Sequence, residues 1–277
     1  AADLDELQRV HPGPIDGLWC DAADVEAALA AMDRGWVGAI GTWTTTETRP
    51  LFELALRDHR IPHVLAWPSH ASMPRPWELA YVVRRTVAPQ QPIPGAHELL
   101  NWGAATVTFR PRSTRDRDQT VQAVEVVATR FGMSRRAAAM TADASHELLM
   151  NAMYDAPIDA LGQPRFAADR RQDVVLAPNE RPTLRLATDG MLLVLQVVDP
   201  FGRLERHRLL GGILRGFATA DGVGALDLRG GGAGLGLSIV SRTVEAHGAT
   251  IDIADADGGG TVFTIRFPAG GGKAAGI

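Results

Sequence analysis

A glycine-rich stretch at residues 229–240 places the strongest constraint on this chain, because five glycines in seven residues lead directly into an apolar helical run. Glycine lets a backbone come close to a ligand, and a loop that feeds a helix N-terminus offers N–H groups to an anion. The Lys-Ser/Thr pair of a P-loop does not follow the stretch, and the strand and downstream acid of a Rossmann unit do not frame it. The stretch therefore predicts an anion site of another kind, with a flexible glycine loop as the alternative.

Composition narrows the classes of function. The chain has 277 residues, enough for two ordinary domains, and its net charge of −4 gives no electrostatic case for binding nucleic acid. The single cysteine, Cys20, excludes an internal disulfide framework and a cysteine metal cluster. Because no apolar run approaches the roughly 18 residues of a membrane helix, we expect no membrane insertion and a cytoplasmic location. Lys273 is the only lysine, so any cation in a site is expected to be an arginine.

Strand and helix patterns alternate through the first part of the chain, which favours a parallel α/β sheet. Prolines then cluster at residues 88–95, which predicts an extended linker over residues 88–103, between a domain at residues 1–87 and a second at residues 104–270. The expected strands lie at residues 15–20, 36–43 and 61–67, and the expected helices at residues 24–33, 48–60 and 77–87.

The alternation resembles a receiver domain of two-component signalling, with residues 63–87 most similar to its last strand and helix. A receiver carries acids at one strand end, a phospho-accepting Asp at another and a lysine near its last strand. Here the second strand carries no acid, and Trp67-Pro68 stands where a lysine-proline pair is expected. Asp21 and Asp24 are predicted to be helix caps. We expect a degenerate receiver-like domain of three α/β layers that binds or dimerises and is not phosphorylated.

The second domain begins with a strand, two helices and a hairpin. Ser134 is predicted to cap the second helix, and Asp189-Gly190 is a strong hairpin signal. The expected strands lie at residues 105–110, 174–177, 183–188, 191–198, 249–254 and 260–267, and the expected helices at residues 119–131, 134–155 and 234–247.

Glu147 and Asn151 are four residues apart in the second of these helices, so both project from one helical face. A carboxylate can accept a proton, and an amide oxygen is a hard donor of the kind that Mg²⁺ prefers. An exposed helix face without chemistry is the alternative for these two residues alone.

These strings resemble the boxes of the GHKL family of ATPases. Glu147 and Asn151 match the N-box, E-x-x-x-N-A, and residues 232–240 match the glycine box, G-x-G-L-G-L-S-I-V. The resemblance implies a Bergerat-type α/β sandwich with a mixed sheet, Mg²⁺ and ATP as cofactors, and a mobile ATP lid at residues 203–228. It also implies Glu147 as the base and Asn151 as the Mg²⁺ ligand.

The resemblance implies further nucleotide contacts. Asp199 matches the Asp of D-x-G-x-G, which hydrogen-bonds the adenine amino group in the family. Phe201 and Arg203 stand where the glycines of that box are expected, and Gly202 is shifted by one position. Contacts to the nucleotide are implied for Asp199, Gly202, Arg229, Gly232, Gly234, Gly236, Leu237 and Thr261. Arg229 is assigned to the γ-phosphate, with a solvated side chain as its alternative.

Residues 145–148, Ser-His-Glu-Leu, also resemble the histidine box of sensor kinases, in which the His accepts the phosphoryl group. That box requires its own helical hairpin and a separate N-box before the glycine loop. No second E-x-x-x-N occurs in that interval, so His146 is interpreted as a neighbour on the N-box helix.

Within the family, the compact second domain most resembles the anti-sigma-factor serine kinases. The resemblance implies phosphorylation of a serine on a protein partner, an anti-anti-sigma-like substrate or a sigma factor, in partner switching. An orphan histidine-kinase-type ATPase module is one alternative, and a non-catalytic adaptor, favoured by the altered Asp box, is another. A homodimer is left open.

Overall fold

In the computed structural model of the protein, the chain divides into two compact units, Ala1–Gln91 and Pro92–Ile277. The structure describes residues 4–44, 49–61, 63–66, 76–88, 94–202, 210–212, 214, 250–256 and 260–268. Among the helices in these ranges, none is long and apolar enough to cross a lipid bilayer.

The first unit contains a parallel sheet of three described strands, which confirms the parallel pairing predicted from the alternation. One helix precedes the first strand in the chain, and the others lie between the strands and after the last one. The strands are β1 (Leu18–Asp21), β2 (Ile40–Thr44) and β3 (His63–Ala66), and the helices are α1 (Leu4–Val10), α2 (Val25–Asp33), α3 (Arg49–Arg57) and α4 (Pro76–Val87). Strands β1 and β2 begin later than predicted, because residues 15 and 37 form only an isolated bridge ahead of them.

Each described strand of this sheet lies beside the strand that precedes it in the chain, in the order β1-β2-β3. A complete receiver sheet has the order 2-1-3-4-5, in which the first strand lies between the second and the third. The described strands therefore match at most a consecutive part of such a sheet, and the receiver-like assignment stays a prediction.

The two acidic residues after β1 behave differently. The Asp21 side chain accepts a hydrogen bond from the Ala23 backbone N–H at 3.1 Å, at the start of a short 3₁₀ helix, Ala22–Asp24. This confirms Asp21 as a cap. Asp24 occupies the N-cap position of α2 without a side-chain hydrogen bond to the helix, so its predicted capping role is wrong.

Packing between β1 and β2 depends on one glycine. Trp19 and Gly41 are direct neighbours in the parallel register, and a Cβ added at Gly41 would lie 2.3 Å from the Trp19 ring. The indole therefore occupies the space that any other side chain at residue 41 would need. The buried apolar residues around this sheet include Val25, Ala28, Ile40, Leu51, Ala55 and Ile61.

The second unit is built on a five-stranded sheet of order β4-β5-β6-β8-β7. Both predicted hairpins, β5–β6 and β7–β8, are confirmed. All four neighbouring pairs of described strands are antiparallel, so the predicted mixed sheet is wrong for this part of the chain. The strands are β4 (Ala105–Phe109), β5 (Thr183–Thr188), β6 (Leu192–Asp199), β7 (Thr250–Ala256) and β8 (Gly260–Pro268).

Two helices, α5 (Thr114–Arg130) and α6 (Arg135–Met150), pack against each other beside this sheet. Helix α5 begins five residues before the predicted start, because the Ser113 hydroxyl accepts from the Asp116 backbone N–H at 3.2 Å and caps an earlier turn. The predicted strand at residues 174–177 is wrong. Val175 forms only an isolated bridge with Ser113.

The predicted linker is also shorter than expected. Residues 94–100 are folded onto the second unit, with a 3₁₀ helix at Ala96–Leu99 that contacts β5 and β6. Ala96, Leu99 and Leu100 are buried. These three apolar side chains outweigh the proline signal, so the extended linker predicted for residues 88–103 is wrong over residues 94–100.

The two faces of the sheet are chemically distinct. Successive side chains of a strand alternate between faces, and Gln196 lies on the face covered by residues 94–100, where its Nε2 donates to the Pro94 carbonyl oxygen at 3.1 Å. Helix α6 contacts β6. Leu193, Leu195 and Val197 alternate with Gln196 along this strand and therefore lie on the opposite face. That face carries buried apolar pairs between β6 and β8: Leu193–Phe267, Leu195–Ile265 and Val197–Phe263.

Candidate functional site

The N-box helix, α6, begins at a capping serine and ends in a π-helical turn. The Ser134 hydroxyl accepts from the Ala137 backbone N–H at 3.2 Å, which confirms the predicted cap. After Met150 the helix continues as one π-helical turn, Asn151–Asp155, so it ends near the predicted residue 155. Single π turns inside α-helices are frequent at functional sites. Asn151 is the first residue of this turn.

Glu147 and Asn151 differ in burial, although both were predicted to face the same way. Asn151 is 7% exposed, and Glu147 is half-buried. Burial raises the pKa of the Glu147 carboxyl above its usual value. Electrostatic interactions with His146 and Arg170 oppose that rise in the pKa, whereas those with Asp143 and Asp155 add to it. A carboxylate with a raised pKa is a better proton acceptor near neutral pH than an ordinary glutamate.

Asp199 and Thr261 are direct cross-strand neighbours at the end of the apolar sheet face. Asp199 is 6% exposed and Thr261 is 3% exposed. The Asp199 Oδ1 accepts from the Phe201 backbone N–H at 2.9 Å, in the turn that leaves β6. The row Leu193, Leu195, Val197 ends in this carboxylate, so an otherwise apolar face of the sheet carries a buried polar pair at one end.

An ion pair next to the N-box was not predicted. Asp155, the last residue of the π turn, pairs with Arg170, and both side chains are about four-fifths buried. The neighbouring Tyr154 hydroxyl donates to the Gln172 carbonyl oxygen at 2.9 Å. Two sequence signals were available for this pair. Asp155 repeats the four-residue spacing of Glu147 and Asn151, and Arg170 lies in the charged run Asp-Arg-Arg-Gln-Asp.

Several predicted site residues lie apart from these contacts or outside the described part of the chain. Gly202 follows the end of β6, is exposed, and has a φ of 66°. Arg229, Gly232, Gly234, Gly236 and Leu237, together with most of the predicted lid, lie outside the described residues. The structure therefore describes the N-box and the Asp199–Thr261 pair, and the glycine box stays a prediction.

The donor set suits a nucleotide-bound cation better than a metal held by protein alone. Within the described ranges, no group of three or more His, Cys, Asp or Glu side chains could hold a metal ion. Mg²⁺ in proteins is commonly held by one or two side chains together with substrate phosphates. The buried Asn151 amide beside the half-buried Glu147 fits that arrangement.

Comparison with known proteins defines the class of the second unit. The family model described as histidine kinase-, DNA gyrase B-, and HSP90-like ATPase matches residues 147–271. Residues 147–271 therefore form a GHKL-type ATPase domain, which confirms the family resemblance and, with the α/β architecture, the sandwich fold class. The match begins at Glu147 and includes Asn151, Asp199 and Thr261.

Two individual proteins are similar to parts of the chain. The sensor histidine kinase TmoS of Ectopseudomonas mendocina is 54% identical over 37 residues, which is 13% of this chain and 4% of that kinase. The crystal structure of the SiaB-SiaC complex from Pseudomonas aeruginosa aligns at a TM-score of 0.38 and 16% identity, covering 58% of this chain and 88% of that chain.

Proposed function

We propose that the second unit binds Mg-ATP and transfers a phosphoryl group to a serine of a protein partner, as a signalling kinase. The observation that carries the proposal is the buried Asp199–Thr261 pair at the end of an apolar sheet face, on the strand against which the N-box helix packs. The match of residues 147–271 to GHKL-type ATPases supports it.

In this proposal Asp199 recognises the adenine ring. A carboxylate oxygen accepts hydrogen bonds only, and the adenine amino group donates them. Thr261 lies beside it and offers a hydroxyl that can donate or accept. Both side chains are held by neighbouring β-strands, so the hydrogen-bonding groups are already in place before a ligand arrives. The apolar residues of the same face exclude water from the ring.

The N-box residues carry the chemistry. Bound Mg-ATP would supply the phosphoryl group and the divalent charge. Asn151 offers an amide oxygen to the metal, and Glu147 takes the proton from the attacking serine hydroxyl on a carboxylate oxygen. The raised pKa of Glu147 favours this role, because a proton acceptor works best when its pKa approaches the working pH. His146 is the neighbour of Glu147 on the same helix. Because neighbouring positions on a helix point in different directions, His146 is not expected to receive the phosphoryl group.

A second candidate has specific support. The 37-residue similarity to a sensor histidine kinase favours an ATPase module that serves a separate histidine-bearing partner. The two products differ chemically, because phosphoserine survives acid and phosphohistidine does not. The adaptor alternative, favoured by Phe201 and Arg203 in the Asp box, requires neither product.

The deciding experiment has two stages. Calorimetric titration of the full chain with ATP and Mg²⁺ is expected to give measurable heat, and absence of both heat and a thermal shift at millimolar nucleotide would leave only the adaptor. The protein is then incubated with labelled ATP, alone and with candidate partners, and washed in acid. We expect no stable label on this chain and an acid-stable phosphoserine on the partner. An acid-labile label on His146 would overturn the serine-kinase proposal.

A further inference from the structure

The π turn extends the row of N-box side chains by one member. Glu147, Asn151 and Asp155 are spaced by four residues, so they follow one another along the same side of the helix. Two of the three are carboxylates, and a row of this kind repels an anionic ligand. A nucleotide whose phosphates meet this row therefore needs a cation beside it, and the chain has a single lysine, in its C-terminal tail.

Arg170 supplies a cation at the end of this row. It pairs with Asp155, and its charge is close enough to Glu147 to act on that carboxyl. A guanidinium carries five N–H donors in a rigid fork, which matches the geometry of phosphate oxygens. Arg170 therefore brings positive charge to the side of the N-box helix where the carboxylates of Glu147 and Asp155 would otherwise repel a phosphate.

The segment that carries Arg170 is held in place from two sides. Tyr154 donates to the Gln172 carbonyl oxygen at 2.9 Å, one residue before Asp155 and two residues after Arg170 in the chain. Met153 and Tyr154 also form a buried apolar cluster with Val174 and Leu176. Since both partners of the ion pair are attached to the same cluster, the guanidinium has a defined position relative to the N-box and does not depend on a free loop.

We propose that Arg170 is a phosphate-binding residue of the nucleotide site, placed by Asp155 to contact the terminal phosphate of ATP. This inference rests on the proposed nucleotide binding of the second unit. It assigns to residue 170, in the segment between the N-box helix and β5, a role that ADP cannot use because ADP lacks that phosphate. Discrimination between ATP and ADP is the property that separates this role from a structural one.

The test compares the dissociation constants of ATP and ADP, each with Mg²⁺, for the full chain and for Arg170→Gln. Losing a charge-assisted contact to the terminal phosphate is expected to weaken ATP binding about 10-fold or more. ADP binding is expected to change less than about threefold. Arg171→Gln is the matched control, because it removes the same charge from the adjacent exposed residue and is expected to leave both constants unchanged.

Each outcome decides the question. Equal losses of ATP and ADP affinity in Arg170→Gln, or equal effects in the Arg171→Gln control, would show that Arg170 only holds the fold or adds general charge. If Arg170→Gln does not fold, Arg170→Met keeps the apolar stem and replaces it in the comparison, and failure of both to fold would make Arg170 a structural clamp. If the wild-type chain binds ADP and ATP, the proposed nucleotide site stands whatever Arg170 does. If it binds neither, both proposals fall together.

Discussion

Replacing Asp199 with asparagine tests the proposed nucleotide site at its buried carboxylate. The Asn side chain keeps the size of Asp199 and keeps one carbonyl oxygen, which can still accept from the Phe201 backbone N–H, now 2.9 Å from Oδ1. The second oxygen becomes an NH₂ group. A donor then faces the adenine amino group, which is itself a donor, and both are withheld from water because Asp199 is 6% exposed.

The expected cost follows from that mispairing. Leaving a buried hydrogen-bonding group without a suitable partner costs about 1–3 kcal/mol, and every 1.4 kcal/mol is a tenfold change in affinity. The dissociation constant of Mg-ATP should therefore rise by about 5- to 150-fold. Calorimetry on the full chain measures this change, and thermal unfolding without nucleotide serves as the control for stability.

The Thr261→Val variant provides the matched comparison, because it removes the hydroxyl beside Asp199 and keeps the branched shape. If both residues contact one ring, the effects of the two substitutions on ATP affinity should not add in the double variant. An Asp199→Asn protein that unfolds at the wild-type temperature and binds ATP with wild-type affinity would refute the adenine assignment.

Two further outcomes are expected. Hydrogen bonds and charge from Arg60 lower the pKa of Asp58 to about 2. The pair therefore stabilises the first unit fully above pH ~4, the ordinary carboxyl range, and this contribution is lost as the pH falls towards 2. Acid unfolding, followed by tryptophan fluorescence, should begin at higher pH in Arg60→Met than in the wild-type protein. Glu147→Gln should keep Mg-ATP affinity within about twofold and lower the rate of phosphoryl transfer by about 10²–10⁴-fold, and wild-type turnover in this variant would remove Glu147 from the role of base.

The predictions that succeeded depend on local rules. Ser134 and Asp21 were identified as caps because a short polar side chain ahead of a helix satisfies a backbone N–H there. The dipeptide Asp189-Gly190 predicts the hairpin because the turn needs a positive φ, which glycine adopts at little cost. In the structure Gly190 has a φ of 83°. These signals lie within a few residues of the structure that they specify.

Apart from the local cap at Asp24, the main predictions that failed depend on partners distant in the chain. Strand direction in the second sheet is set by which strands meet, and the pairing of β6 with β8 joins Asp199 to a residue 62 positions later, Thr261. Residues 94–100 are folded because Gln196 donates a hydrogen bond to the Pro94 carbonyl oxygen and because their 3₁₀ helix contacts β5 and β6. The pairing of Asp155 with Arg170 also joins distant residues. The four-residue spacing and the charged run point to the two residues, but they do not select Arg170 over Arg165 or Arg171, which lie within five residues of it.

The altered Asp box is the strongest argument for a non-catalytic adaptor, and the turn after β6 weighs against it. The family pattern places glycines at the positions of Phe201 and Arg203, but the left-handed φ of 66° falls on Gly202. A shifted glycine therefore still makes the turn, while Asp199 accepts from the Phe201 N–H.

Gly202→Ala tests whether that turn supports the site. A left-handed conformation costs a non-glycine residue roughly 1–2 kcal/mol, so the variant should unfold at a lower temperature. If the turn also holds Asp199 in its binding position, Mg-ATP affinity should fall with it, and Gly162→Ala is the matched control because Gly162 has a φ of 78° in a different loop. Equal destabilisation in both variants with a loss of ATP affinity only in Gly202→Ala would support a working nucleotide site. Unchanged ATP affinity in a destabilised Gly202→Ala protein would separate the turn from the site and remove this argument against the adaptor.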